Sequence, residues 1–93
     1  MYYTYMIACT GRDGRRSLYT GYTNSLNRRF SEHVSSRGAK YTRGKSLQLV
    51  FFQTFGTRID AMRREREIKS YPRQKKLALV QNGLVNELQA TCT

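Results

Sequence analysis

Residues 2–22, with the sequence YYTYMIACTGRDGRRSLYTGY, decide the fold. The stretch from Tyr2 to Cys9 is rich in β-branched and aromatic residues that alternate between two faces, which is typical of a β-strand. The polar residues TGRDGRRS, with two glycines and an aspartate, then favour a turn. Leu18 to Tyr22 has the character of a returning strand. The segment therefore predicts an antiparallel β-hairpin.

A helix is predicted directly after the hairpin. Asn24 and Ser25 are good N-cap residues, and the helix is expected to run to about Ser36. Its apolar residues recur at i, i+4 and i+8, so they share one face and form the expected buried stripe: Leu26, Phe30 and Val34.

The second half of the chain supplies one more strand and two more helices. Leu47 to Phe55 is the most apolar stretch and is predicted to be the central strand. Thr57 can cap a second helix that runs to about Ser70. Pro72 suits the first turn of a third helix, which is expected to end near Asn82.

These elements give the order β-β-α-β-α-α. The predicted fold is α/β: a small three-stranded sheet with an antiparallel N-terminal hairpin, flanked by helices. A chain of 93 residues has room for one core only. We expect one domain over residues 1–83, followed by a C-terminal tail at 84–93.

The charge of the chain points to a polyanionic partner. Its formal net charge is +11, and all 17 basic residues lie between Arg12 and Lys76. A field of this sign favours nucleic acid, with a basic protein of the translation machinery as a weaker alternative. No apolar run approaches the roughly 20 residues of a membrane span, and the N-terminus lacks the basic leader of a signal peptide. We expect a cytoplasmic protein that does not enter membranes.

The first helix carries three residues suited to phosphate chemistry. Arg29 and His33 lie at the edge of the apolar stripe and can face a cleft beside the sheet, whereas Arg28 points away, towards water or a remote phosphate. An arginine in this position can instead cover apolar surface with its stem, and a single histidine can have a purely structural role.

A carboxylate and two phenols complete the set of candidates. Ala61, Glu65 and Ile68 share one helical face, so Glu65 is aimed inward and needs a cation, a metal ion or a neighbouring arginine. Tyr5 and Tyr19 come from paired strands and can move a proton if cationic neighbours assist, although tyrosine is also common strand filler. Together these residues fit phosphodiester hydrolysis with one divalent cation.

Five short stretches resemble the GIY-YIG nuclease superfamily, in its small single-domain bacterial branch of UvrC-like (URI-domain) endonucleases. They are TYM at 4–6, YTG at 19–21, RxxxH at 29–33, GAKYT at 38–42 and RREREIK at 63–69. Thr20 stands where the second signature has isoleucine.

The resemblance implies a DNA endonuclease that uses one Mg²⁺ or Mn²⁺ ion. By position, Tyr5 and Tyr19 match the motif tyrosines, Arg29 the helix arginine, His33 the histidine one turn later, and Glu65 the metal-binding glutamate. The expected nucleic-acid contacts add the remote Arg28 and the basic loop after the first helix: Arg28, Lys40, Thr42, Arg43 and Lys45.

The mechanism expected from these matches assigns each side chain a task. Glu65 holds the cation, Arg29 stabilises the phosphate, Tyr5 takes the proton of the attacking water while Tyr19 orients it, and His33 assists one tyrosine. The two tyrosines could exchange roles. The alternative is a binding module with the same fold that does not cut nucleic acid, and a protein partner also stays open.

Overall fold

A computed structural model describes residues 1–35 and 45–81. These residues form three strands and three helices in the predicted order β-β-α-β-α-α. The elements are β1 (Tyr2–Thr10), β2 (Arg16–Thr23), α1 (Leu26–Val34), β3 (Ser46–Phe55), α2 (Arg58–Lys69) and α3 (residues 73–81). The predicted fold class is confirmed.

The sheet is antiparallel throughout, with the strand order β2-β1-β3. The prediction that the third strand is central was wrong, because β1 pairs with both neighbours. Four consecutive residues of β1, from Thr4 to Ile7, are buried, whereas β3 exposes Phe52 and its two successors. Tyrosines and a threonine make β1 look less apolar than β3, yet their hydrogen bonds and packing let them occupy the middle of the sheet.

The alternation predicted for β1 divides the core between the two faces of the sheet. Met6 packs with residues of β3, α2 and α3, and Thr4 on the same face donates a hydrogen bond of 2.7 Å to the Ala61 carbonyl of α2. Tyr5 and Ile7 face the other way, towards Leu26 and Phe30 of α1. The sheet is therefore a middle layer, with α2 and α3 on one side and α1 on the other.

A β-bulge in β3 keeps both faces apolar. Met6 pairs with Phe51, but the next residue, Ile7, pairs with Leu49, so Val50 is an extra residue. Val50 and Phe51 consequently both join the core under α2 and α3, while Leu49 packs on the opposite side. This break in alternation explains why Leu49, Val50 and Phe51 can be apolar in succession, whereas the next residue, Phe52, is exposed.

Both predicted N-caps are present. The Ser25 hydroxyl accepts a hydrogen bond from the Arg28 backbone N–H, and the Thr57 hydroxyl accepts one from the N–H of Asp60. The apolar stripe predicted for α1 needs one correction. Val34 is 60% exposed, and His33 is 1% exposed in its place. Counted from Leu26 as position i, the last turn of α1 directs position i+7 towards the sheet instead of i+8. The residue that packs there is therefore His33, where Val34 was expected.

Several sequence predictions lie outside the described residues. They concern the GAKYT stretch with Lys40, Thr42 and Arg43, the exact end of the third helix, and the domain boundary at 83 with the tail that follows. Among the helices of residues 1–35 and 45–81, none is long and apolar enough to span a membrane.

Candidate nucleic-acid cleavage site

A cleft of about 540 Å³ opens where β1, β2, α1 and α2 meet. Four of the five residues predicted for chemistry line it: Tyr5, Tyr19, Arg29 and Glu65. The fifth, His33, is buried behind them against Tyr5. These residues come from four different elements and are up to 60 positions apart in the sequence. Their convergence at one cleft is a property of the fold that spacing along the chain could only suggest.

Gly21 makes room for the ring of Tyr5. The two residues are opposite each other in the β1–β2 pairing. A Cβ atom at position 21 would lie 2.6 Å from the Tyr5 hydroxyl oxygen and 2.8 Å from Cζ, both closer than real contacts allow. The phenol therefore lies directly across the backbone of β2. Sequence reasoning left Gly21 out of the site, although a glycine inside a strand is itself a signal of close approach.

His33 joins the two tyrosines into one cluster. Its Nε2 lies 3.1 Å from the Tyr5 hydroxyl oxygen, and its ring centroid lies 5.2 Å from that of Tyr19 at an interplanar angle of 63°. Burial lowers the pKa of His33, and the positive charge of Arg29 lowers it further. The imidazole is therefore neutral at pH 7, and it can accept or donate one hydrogen bond at the tyrosine according to its tautomer.

Arg29 reaches the same tyrosine from α1. Its guanidinium forms an ion pair of 3.0 Å with Glu32 one turn later and is hydrogen-bonded to Tyr5. The side chain is 30% exposed, so part of its donor set faces the cleft. A guanidinium carries five donors, and the two protein contacts leave several for an anion.

Tyr5 holds its proton firmly. Burial raises the pKa of Tyr5 to about 12, and the hydrogen bond from Arg29 offsets this effect only in part. The hydroxyl also lies within hydrogen-bond distance of His33 and is fixed in position by Gly21. Its environment is that of a neutral, well-oriented phenol at physiological pH.

Glu65 provides the carboxylate of the cleft. Its neighbours Ala61 and Ile68 are fully buried on the same helical face, as predicted, and Glu65 itself is 20% exposed at the cleft wall. One carboxylate oxygen lies 3.6 Å from Nζ of Lys69. Glu67 points elsewhere and pairs with Arg64.

A divalent cation fits this arrangement on chemical grounds. Within residues 1–35 and 45–81, no three His, Cys, Asp or Glu side chains cluster as a metal cage. Mg²⁺ is commonly held by one or two carboxylates, keeps several of its water ligands and also binds phosphates of the substrate. A single carboxylate in an open, polar cleft provides such a site, and Glu65 is the residue that would hold the ion.

The mouth of the cleft is basic and aromatic. Arg28, which the sequence placed away from the core, is exposed at the rim and donates a hydrogen bond of 2.7 Å to Asn24. Arg58, at the start of α2, donates one of 3.3 Å to the Tyr22 hydroxyl, with its guanidinium 6.0 Å from the ring centroid. Tyr22 and Arg58 were not among the predicted site residues, because nothing in their spacing connects β2 with α2.

Lys45 is not brought to the cleft. It precedes β3, close enough to Cys9 for its charge to lower the thiol pKa, which burial raises. Cys9 lies four residues beyond Tyr5 on β1, a distance of about 13 Å along a strand. The predicted phosphate contact of Lys45 stays a prediction, as do those of Lys40, Thr42 and Arg43, which lie outside the described residues.

Comparison with known proteins finds one family whose sequences are similar to this chain. The family described as the GIY-YIG catalytic domain matches residues 1–78. A UPF0213 protein of Haloquadratum walsbyi is 49% identical over 83 residues, covering 88% of this chain and 89% of its own. A UPF0213 protein of Staphylococcus saprophyticus is 43% identical over 83 residues, which cover 88% of this chain and 96% of the relative.

A solved structure is also similar. The solution NMR structure of a UPF0213 protein from Bacillus halodurans is 42% identical, covers 85% of this chain and 83% of its own, and superposes with a TM-score of 0.48. The matched range, residues 1–78, includes the positions of Tyr5, Tyr19, Arg29 and Glu65. The chain belongs to the GIY-YIG nuclease family, among its small single-domain UPF0213 members.

Proposed function

We propose that this protein is a metal-dependent endonuclease that hydrolyses phosphodiester bonds of DNA, in structured or single-stranded form. The observation that carries the proposal is the meeting of Tyr5, Tyr19, Arg29 and Glu65 at one basic cleft. The family implies a nuclease and nucleic-acid binding in general terms, and its members generally use a divalent metal ion. The choice of DNA, the single cation and the residue roles belong to this proposal.

Arg29 is proposed to bind the scissile phosphate. Its contacts with Glu32 and Tyr5 hold the guanidinium at the cleft wall, so a phosphate there meets oriented donors. Such donors stabilise the negative charge that develops on the non-bridging oxygens, and a preorganised group does so without further reorganisation. Glu65 would hold the cation, which supplies charge neutralisation at the phosphate when bound.

The two tyrosines are proposed to have different tasks. The sequence favoured Tyr5 as the proton acceptor, but burial raises the pKa of Tyr5 to about 12, and its hydroxyl already has Arg29 and His33 as neighbours. We therefore assign proton removal from the attacking water to Tyr19, the more exposed phenol. Tyr5 then positions Arg29, and His33 fixes the orientation of both rings.

Glu65 separates the enzyme from a binding module. A surface that only holds nucleic acid gains nothing from a carboxylate at its cleft, because that charge repels phosphate. A nuclease needs the carboxylate for its cation. The placement of Glu65 therefore supports cleavage over simple binding.

The test measures cation-dependent cutting. Supercoiled plasmid, branched DNA, single-stranded DNA and RNA are incubated with Mg²⁺ or Mn²⁺, and in parallel with a chelator. We expect cleavage of DNA that the chelator abolishes and that Arg29→Ala reduces by about 100-fold or more. Arg63→Ala is the matched control, since it removes the same charge from an exposed position on α2 outside the cleft. Binding without cutting under every condition would reject the enzyme.

A second comparison tests the assignment of the tyrosines. If Tyr19 takes the proton, Tyr19→Phe lowers kcat by about 100-fold or more, and Tyr5→Phe has the smaller effect. A larger loss in Tyr5→Phe, with the folded state intact by circular dichroism, would return the task to Tyr5.

A further inference from the structure

Two tyrosines and an arginine at the mouth of the cleft have no task in the proposed cleavage reaction. Tyr2 of β1, Tyr22 of β2 and Arg58 of α2 all line the cleft. Both tyrosines are partly exposed and Arg58 is exposed, so a ligand in the cleft can reach all three side chains. Arg58 is hydrogen-bonded to Tyr22 and is also close to Tyr2. We call these three residues the aromatic rim.

The aromatic rim begins directly beside the residues proposed for chemistry. Among the described strands, only β1 pairs with β2, so the other edge of β2 borders the cleft. Tyr22 is opposite Thr4 and lies on the face of the sheet that α2 covers, whereas its neighbour Gly21 is opposite Tyr5. The Cα atoms of Gly21 and Tyr22 are about 3.8 Å apart. The rim is therefore one residue away from the place where the Tyr5 phenol crosses β2.

Arg58 holds the ring of Tyr22 without covering its face. The guanidinium donates a hydrogen bond of 3.3 Å to the Tyr22 hydroxyl, but its central carbon lies 6.0 Å from the ring centroid. A group that covers a ring lies closer, as Nζ of Lys75 does at 4.0 Å from the centroid of Tyr71. The face of Tyr22 thus stays available to another planar group that enters the cleft.

A nucleobase is the planar group that suits this chemistry. Unpaired bases stack on tyrosine rings in sites that bind single strands, and arginine adds a cation–π contribution. The net charge of +11 attracts the phosphates to which such bases are attached. A strand with one phosphate between Arg29 and Glu65 brings the base of the adjoining nucleotide to the mouth of the cleft.

We propose that the aromatic rim is a stacking site for one unpaired base, in the nucleotide next to the scissile phosphate. Tyr22 supplies the ring on which the base stacks, Arg58 orients that ring, and Tyr2 borders the site. The proposal rests on the proposed function, since it needs a nucleic-acid ligand. It narrows the substrate to strands in which the base beside the cut is unpaired, because a base inside a continuous duplex is already stacked on both sides.

The first test separates the contribution of bases from that of phosphates. Two labelled DNA strands of equal length are compared by fluorescence anisotropy in chelator: an oligothymidine, and a fully abasic strand that keeps the phosphates. We expect the unaltered protein to bind the oligothymidine about tenfold more tightly. Equal affinity for the two strands would overturn this proposal and leave the nuclease intact. If the protein binds neither strand, the proposed function fails and this inference fails with it.

The second test assigns the preference for bases to Tyr22. Tyr22→Leu should lose the tenfold preference, and Tyr22→Phe, which keeps the ring, should retain most of it. Tyr3→Leu is the matched control, since Tyr3 is also a partly exposed tyrosine of the sheet, but its ring packs against Phe52 outside the cleft. Circular dichroism checks that each variant is folded.

The salt dependence distinguishes stacking from a phosphate contact. Tyr22→Leu should bind the oligothymidine more weakly with an unchanged slope of log K against log salt, because it removes no phosphate contact. A slope lower by about 0.7 would mean that the side chain acts through a phosphate. That result would overturn the proposal, as would a full preference for bases in Tyr22→Leu or its equal loss in Tyr3→Leu.

The third test examines the substrate itself. A DNA duplex with one bulged base and the same duplex without the bulge are incubated with Mn²⁺, and the cuts are mapped. We expect cuts beside the bulged base, and about tenfold fewer of them with Tyr22→Leu. Equal cutting of the fully paired duplex would overturn the requirement for an unpaired base, although cation-dependent cutting itself would still support the nuclease.

Discussion

Replacing Gly21 with alanine should damage the fold and the cleavage site together. The added Cβ would lie 2.6 Å from the Tyr5 hydroxyl oxygen, 2.8 Å from Cζ and 3.2 Å from Cε1. Tyr5 is 3% exposed and packs against Tyr19 and His33, so its ring has little space to move away. Restoring an ordinary contact distance requires a displacement of about 0.8 Å, which is enough to break the contacts of the hydroxyl.

The size of the effect follows from two opposing contributions. Overpacking of this kind costs about 1–3 kcal/mol. The alanine reduces the entropy of the unfolded chain and offsets about 0.4–1 kcal/mol of that cost. We expect a net destabilisation of about 1–2 kcal/mol, which lowers Tm by about 5–15 °C for a domain of this size. A displacement of about 1 Å in a group that orients Arg29 can lower cleavage by about 100-fold.

Thermal unfolding followed by circular dichroism and plasmid cleavage below Tm measure the two effects separately. Gly56→Ala is the matched control, because a Cβ there meets no atom within 4 Å. Tyr5→Phe in the Gly21→Ala background should recover only part of the lost stability, since Cζ still lies too close. If Gly21→Ala unfolds within 1 °C or so of the Gly56→Ala control and cleaves as well, the close contact has no energetic importance.

Three further predictions concern charge. The pKa of Tyr5 is raised to about 12 in the folded state, so the protonated phenol stabilises the fold fully below about pH 10 and this stabilisation is lost as the pH rises towards 12. Urea titrations at several pH values should show this loss in the unaltered protein, and Tyr5→Phe should remove on the order of 2 kcal/mol of it. Because burial lowers the pKa of His33, unfolding should become easier as the pH falls below about 6.5, and His33→Gln should flatten this dependence; an equally steep acid limb in His33→Gln would contradict the assignment. Glu65→Gln should abolish cation-dependent cleavage and leave DNA affinity unchanged or tighter, and weaker binding would speak against its role as the ligand of the cation.

Local signals in the sequence were sufficient for most of the fold. Caps such as Ser25 and Thr57 depend on the interaction of one side chain with the next turn, so they can be recognised without knowledge of the tertiary structure. The centre of the sheet could not be recognised in this way. The apolar run of β3 looked more central than β1, but β1 is the strand that pairs on both sides, and a strand's own composition does not show how many neighbours it has. The bulge at Val50 also interrupts the alternation of β3, so its apolar run resembled that of a strand buried on both faces.

The same distinction applies to the site. Arg29 and Glu65 were found because each lies on the inward face of its own helix, a property that helical spacing predicts. Helical spacing could not show that His33 is buried instead of Val34, because this depends on how α1 packs against the sheet. Arg58 reaches Tyr22 from an element 36 residues away, and no local pattern indicates such a contact.

The contact between Tyr5 and Gly21 also has a consequence for how the hairpin assembles. A strand can slip by two residues and still keep every side chain on its original face. In this hairpin such a slip would place Tyr19 or Thr23 opposite Tyr5, where a side chain would occupy the space that the phenol needs. The absence of a side chain at one position therefore rejects the alternative pairings that alternation alone would permit, and the same atoms that build the cleft select the correct alignment of the two strands during folding.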